Sequence, residues 1–340
     1  MIERILQISI NQRGFVLGGV LAMAALGVYS YRQLPIDAVP DITNVQVQIN
    51  TQAPGYSPVE AEQRVTFPIE VVMAGLPHLH HTRSISRYGL SQVTVIFDDG
   101  TDIYFARQLV NQRIQEAQGN LPAGIVPTMG PISTGLGEIV MWTVDAEDDA
   151  LKSDGSTYST TDLREIQDWI IRPQLRMVRG VTEVNAIGGF VKQYHVTPYP
   201  EKLLSFGLTL QDVVIALERN NLNVGAGYIE KSGEQNLVRV PGQVANLDEI
   251  ADILLGSRQG VPIRIKDVAD VIIGKELRSG AATQNGEEVV LGTAHMLIGE
   301  NSRTVAQAVV KKLTEINRNL PAGVVVTPVY DRTVLVDKSI

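Results

Sequence analysis

The chain has no cysteine. That excludes disulfides, thiolate metal sites and thiol nucleophiles together. Aromatic residues are scarce at 5%, with two Trp and six Phe. Pockets for organic ligands are lined mainly by apolar and aromatic side chains, so this composition favours an ionic ligand over an organic one. Positive charge is in deficit, with 29 Lys and Arg against 37 Asp and Glu, a net charge of −8. Nucleic acid needs a cationic face, and no such partner is expected. The common catalytic patterns are missing too. There is no P-loop, no G-x-S-x-G and no H-E-x-x-H, and Gly188-Gly189 lacks the rest of a dinucleotide fingerprint. No segment is of low complexity. The 340 residues leave room for two or three domains.

The first positive signal is Phe15–Tyr31, FVLGGVLAMAALGVYSY, an uncharged run of about the length that spans a bilayer. Arg4 and Arg13 precede it, and Asp37 and Asp41 follow. The positive-inside rule then puts the N-terminus in the cytoplasm and the bulk of the chain outside, although Arg32 weakens the asymmetry. A signal peptide is the rival reading. Its small residues, Ala22-Met23-Ala24, fall mid-run, and no A-x-A follows. Residues 1–37 are therefore expected to form an N-terminal segment with an uncleaved membrane helix.

Beyond the proline-punctuated stretch LPIDAVPDITN, Val45, Val47 and Ile49 alternate with Gln46, Gln48 and Asn50, the period of a half-buried strand. Ser57-Pro58-Val59-Glu60 reads as a capping box with Pro at the first helical position. The helix it opens should kink at Pro68 and stop at Gly75 and Pro77. Two strands follow over 82–97, then an Asp99-Gly100 turn, a helix capped by Asp102, and NLPAG at Asn120–Gly124 leading into a strand. The order is βαββαβ. NLPAG returns at Asn319–Gly323, again before a strand, and the same 199-residue offset carries Asp102 onto Asn301 and Gly100 onto Gly299. The chain therefore holds an internal repeat. The second copy opens with a strand at Glu138–Val144, a helix capped at Asp162 and a strand at Val181–Ile187, and resumes near Ala281 with Asn285-Gly286 as a hairpin turn. Residues 188–273 are an insertion with its own helices and a glycine-bearing hairpin at Asn223–Val240. At the end, DRTVLVDKSI has the pattern of a helix start.

One membrane helix, two ferredoxin-like units and a domain inserted in the second resemble the N-terminal portion of a resistance–nodulation–division (RND) efflux pump. The strings LPIDAVPDITNVQV, APGYSPVEAEQ, RSISRYGLSQVTVIFDDGTD, ISTGLGEI and VYDRT look like its heavy-metal branch, most of all the inner-membrane subunits of cobalt–zinc–cadmium pumps. The resemblance covers essentially the whole chain. It implies an α+β fold with the first porter subdomain over 38–130 and the second over 131–187 plus 274–330. It further implies a docking subdomain at 188–273 and the start of a second membrane helix at 331–340. It also implies a proton-driven secondary transporter of the bacterial inner membrane, not an enzyme, with the bulk of this chain in the periplasm. Its partners would be two further copies in a homotrimer, a periplasmic adaptor and an outer-membrane channel, and its cargo a divalent metal ion (Zn, Co or Cd), with no cofactor. The docking hairpin, with Asn223, Gly225, Gly227, Tyr228 and Glu230, would reach into a neighbouring subunit. The proton relay and the C-terminal porter subdomains would lie in the two-thirds of the natural protein that this chain lacks, leaving it inactive alone.

Candidate site residues follow from chemistry. GLPHLHHTR places three of the five histidines, His78, His80 and His81, within four residues. Imidazole suits borderline divalent metals. In an extended strand His78 and His80 share a face and His81 opposes them, which offers two ligands where zinc usually takes three or four. A solvated polar loop is the competing reading. Glu138 opens the strand that begins the second porter subdomain, on one face with Val140 and Trp142. A carboxylate there needs a partner or a cation. Arg83 is expected to face the same region, either paired to an acid or on the transport path. The run DAEDD, Asp145–Asp149, reads as a solvated loop. The seven methionines are scattered, against a Cu(I) site. A membrane-anchored partner-binding module and an RND pump for organic compounds are the alternatives.

Overall fold

The alternation expected in the first strand is present. In β1 (Gln46–Gln52), Val47, Ile49 and Thr51 are fully buried while Gln46, Gln48 and Asn50 stay half-exposed. The structure, a computed structural model, describes residues 12–33, 43–133, 137–222, 224–231, 234–240, 242–258, 260–277 and 280–339. Asp37, Asp41 and most of the proline-punctuated stretch lie outside the described residues. Before β1 comes α1 (Arg13–Gln33), the one described helix long and apolar enough to cross a membrane, with none of its Arg13–Ser30 window buried.

After β1, Ser57 and Glu60 close the expected capping box on α2 (Pro58–Ala61). Pro68 does not simply kink the helix that follows. A π-helical turn at Glu62–Thr66 precedes α3 (Phe67–Met73), so that the Phe67 N–H bonds Glu62 O, five residues back. A proline ring clashes with the carbonyl four residues before it and offers no N–H. Widening the helix by one residue relieves both, and the Thr66 hydroxyl bonds Ala61 O at 3.2 Å. Then come β2 (Leu79–Arg87), β3 (Leu90–Phe97), α4 (Ile103–Gln118) and β4 (Pro127–Met129). Asp102 caps α4 through a 2.8 Å bond from the Phe105 N–H. The sheet runs β2-β3-β1-β4, with β1 antiparallel to both β3 and β4. Val47, Ile49, Val93, Val95 and Phe97 bury one face among Ile69, Met73, Val110 and Ile114. Each such side chain contributes roughly 1.5–3 kcal/mol of burial.

The second copy repeats this design. β5 (Glu138–Ala146) leads to α5 (Thr160–Ile166), a π-helical turn at Gln167–Ile171, α6 (Arg172–Arg176) and β6 (Val181–Ile187). Pro173 sits just after that π turn as Pro68 does after the first, and the Arg172 N–H bonds Gln167 O. The helix is capped by Ser159, not Asp162. Asp162 is the reciprocal member of the box, accepting from the Ser159 N–H at 2.8 Å. Between the halves of this copy lie β7 (Lys192–Pro198), α7 (Pro200–Phe206), α8 (Leu210–Arg219), β8 (Val224–Lys231) and β9 (Glu234–Val240). They are followed by α9 (Leu247–Ala251), β10 (Leu254–Arg258), β11 (Val261–Arg264), α10 (Ile265–Val268), β12 (Ala269–Lys275) and β13 (Ala282–Gln284). The chain closes with β14 (Glu287–Met296), α11 (Ser302–Asn317), β15 (Val324–Asp331) and α12 (Thr333–Ser339). The β13–β14 turn is Asn285-Gly286, both at positive φ (54° and 91°), as a two-residue hairpin requires. Asn301 caps α11 as Asp102 caps α4. β6 pairs β14, which joins β5 and then β15, the strand order of the first sheet again.

By contacts the chain forms two compact units. One comprises 1–155, 166–187 and 291–340, and so contains the first repeat and most of the second, without residues 160–165 of α5 and 287–290 of β14. The other comprises 156–165 and 188–290. In the latter, the β7–β12 ribbon and the β10–β11 pair surround a core of Leu203, Val213, Ile253, Ile263, Ile265 and Val268.

In the first unit Trp142 is fully buried, and its indole N–H donates to Gln167 on the π turn at 2.9 Å. Gly292 on β14 lies directly against the indole, where a methyl would overlap the ring. Gly292→Ala is expected to lower the unfolding free energy by about 1–3 kcal/mol, measured by urea denaturation. An unchanged midpoint would show that the indole has room to move.

Candidate metal-handling site

β2 is an edge strand of the first sheet and carries His80 and His81, with His78 just before it. It is not a regular strand at that point. Leu79 pairs with Phe97 and His81 with Ile96, so His80 is the extra residue of a β-bulge. The bulge breaks the alternation expected of an extended segment. His80 and His81 turn to each other, Nδ1 to Nδ1 at 2.6 Å, with ring centroids 4.9 Å apart and planes at 66°. Both rings are exposed. His78 stands apart in a left-handed conformation (φ 58°), its carbonyl accepting from the Asp98 N–H at 2.9 Å. Among the described residues no group of three or more His, Asp or Glu side chains is placed to hold a metal ion.

Glu138 opens β5 and is half-buried, beside the fully buried Ile139 and Val140. Its backbone carbonyl faces the guanidinium of the buried Arg332 at 3.5 Å, and the Arg332 N–H bonds Ile139 O at 2.9 Å. Among the described residues its carboxylate has no hydrogen bond or ion pair, although three residues before it, 134–136, lie outside them. Arg83 is exposed on the edge strand, opposite Thr94. Asp145 turns its carboxylate onto the Ala146 N–H at 2.8 Å and is exposed with Glu147, Asp148 and Asp149, which is loop chemistry.

A cleft of about 530 Å³ opens within the first unit, between Arg107 and Gly130 of the first repeat and Arg172, Arg176, Glu183 and Asn185 of the second. Burial lowers the pKa of Arg107, yet a guanidinium stays charged at any neutral pH. Its Nη1 donates to Gly130 O at 2.7 Å. Arg172 pairs with Asp168 at 2.7 Å. With Arg172 paired to Asp168, Arg107 and Arg176 still outnumber the one lining carboxylate, Glu183, which disfavours a divalent cation, and Glu138 does not line the cleft. The sequence carried no sign of the cleft, because residues from different repeats build it. Its arginines fall on helices where an isolated Arg looks like a solvated surface residue.

In the second unit, the β8–β9 hairpin holds Gly225, Gly227, Tyr228 and Glu230, with Asn223 outside the described residues. Gly225 pairs with Arg239 and Tyr228 with Leu237, with a bulge between. Tyr228 is 62% exposed and Glu230 is exposed too. Among the described residues the hairpin joins no other strand.

The AcrB/AcrD/AcrF family matches residues 5–340. The chain belongs to that family. Over all of its 340 residues it is 70% identical to cation efflux system protein CzcA of Alcaligenes sp. (strain CT14) and 69% identical to cobalt-zinc-cadmium resistance protein CzcA of Cupriavidus metallidurans. A crystal structure of a heavy metal efflux pump (crystal form II) matches 98% of this chain at 33% identity with a TM-score of 0.85. The chain covers 32% of each of these three proteins, so it spans about a third of their length. The likeness to the heavy-metal branch, read from strings such as LPIDAVPDITNVQV, is borne out.

A half-buried carboxylate with no partner among the described residues, beside apolar side chains, costs stability. Glu138→Leu is therefore expected to leave the unfolding free energy from urea denaturation unchanged or raise it, by up to about 1 kcal/mol. A clear loss of stability would mean that the carboxylate has a structural partner.

Proposed function

We propose that the chain is the N-terminal portion of a secondary transporter subunit that exports divalent heavy-metal cations of the Zn, Co and Cd type. The observation that carries this reading is the 70% identity, over every residue, to a protein named for cation efflux. The two copies of the strand order β4-β1-β3-β2, each crossed by two helical segments, support reading them as ferredoxin-like porter subdomains, with the segment 188–273 as an inserted docking subdomain. The apolar α1, its basic flank and the acidic residues beyond it support an inner-membrane anchor with the bulk of the chain in the periplasm. In this reading the whole protein is a proton-driven antiporter and a homotrimer. The β8–β9 hairpin engages a neighbouring copy, and a periplasmic adaptor and an outer-membrane channel complete the route through the envelope. Glu138 takes the cation on that route by charge, while Arg83 lies beside it. The protein is no enzyme in this account, and the 340-residue chain alone moves nothing.

The test is a pair of proteoliposome preparations under an imposed proton gradient. One contains the full-length protein to which this chain belongs, the other the 340-residue chain alone. Gradient-dependent accumulation of Zn²⁺ or Co²⁺ is expected in the first only, with Glu138→Gln reducing it at least tenfold. Accumulation of an organic cation in place of metal would overturn the reading.

A further inference from the structure

In a regular strand, neighbouring residues point to opposite faces, and two adjacent histidines cannot bring their rings together. The bulge at His80 removes that obstacle and sets the two Nδ1 atoms 2.6 Å apart. We infer that His80 and His81 form a two-imidazole capture site for a borderline divalent cation such as Zn²⁺ or Co²⁺, and that His78 is not part of it.

At 2.6 Å one nitrogen carries a proton and the other offers its lone pair. Both therefore aim at one point between the rings, and a metal ion takes that point while the displaced proton moves through solvent to that ring's Nε2. Zinc–nitrogen bonds of about 2.0–2.1 Å at a tetrahedral angle require the two nitrogens to stand roughly 3.3 Å apart. The rings must then part by roughly 0.7 Å, a small rotation for side chains that are both exposed on an edge strand. Imidazole is a suitable donor for zinc, cobalt and nickel alike. With no third carboxylate or imidazole in place among the described residues, water completes the shell. Such a site binds weakly and exchanges readily. Structural zinc sites close all four positions with protein ligands, which suits retention, whereas a two-ligand site suits taking a cation from solvent and passing it on. This role as a capture point rests on the export reading, but the binding itself does not.

The experiment is Zn²⁺ titration calorimetry on the full chain in detergent, with His80→Gln, His81→Gln and His78→Gln compared. Vesicle transport by the full-length protein with the same substitutions runs beside it. At least tenfold weaker Zn²⁺ binding is expected for His80→Gln and for His81→Gln, with His78→Gln within twofold of the parent. In vesicles the pair variants are expected to need more Zn²⁺ for half-maximal uptake and to reach the parent rate at saturation. Three results would overturn the pair: no Zn²⁺ binding by the chain, binding unaffected in both pair variants, or equal loss in His78→Gln. If the pair variants lose binding but the full-length protein moves no metal, the site stands and the export reading falls. If binding ignores the pair but the protein still exports zinc, the reverse holds.

Discussion

A four-stranded antiparallel sheet crossed by two helices on one side can bury only one of its faces, and the organisation of this chain depends on that constraint. In the first repeat the burying face holds Val47, Ile49, Val93 and Val95 against α3 and α4. The opposite face holds Gln48 and Asn50, whose amides bond each other at 2.8 Å. The second repeat solves the same problem with heavier means. Trp142 fills its buried face, Gly292 makes room for the indole, and Gln167 satisfies the indole N–H. Each copy leaves an exposed or half-buried strand position open for chemistry. The edge strand β2 carries the histidine pair in one, and the first residue of β5 is Glu138 in the other.

The two π-helical turns follow from the same packing. Each repeat has a proline, Pro68 or Pro173, inside the helix that spans its sheet. A simple kink would lift the rest of the helix off the apolar face. A one-residue widening keeps the helix in contact, and it places Thr66 and Gln167 where their side chains meet the sheet. The Thr66 hydroxyl lies 2.7 Å from that of Ser91, and Gln167 holds Trp142. That the device occurs twice at matching positions is independent support for the internal repeat.

Local features were legible in the sequence. The caps at Ser57, Asp102 and Asn301, the Asn285-Gly286 turn, the repeated NLPAG connector and the apolar run at Phe15–Tyr31 each depend on a few neighbouring residues. So did the family likeness, which rests on long strings of identity. The features that were not legible depend on distant residues. A strand partner decides whether a bulge forms, and nothing local announced that His80 would have no partner opposite it. The exchange of roles between Ser159 and Asp162 is the exception, a local capping box closed by reciprocal bonds three residues apart. The arginine-lined cleft needs both repeats folded. For the same reason the position of Glu138 at a strand start was readable, but its lack of a side-chain partner among the described residues was not.

The proposed function requires divalent metal to pass through the region formed by this chain. Anomalous diffraction at the zinc edge, from crystals of the full-length protein equilibrated with Zn²⁺, tests it most directly. The account predicts density at the Glu138 carboxylate and between the His80 and His81 rings. Zinc found only at residues outside this chain would contradict it.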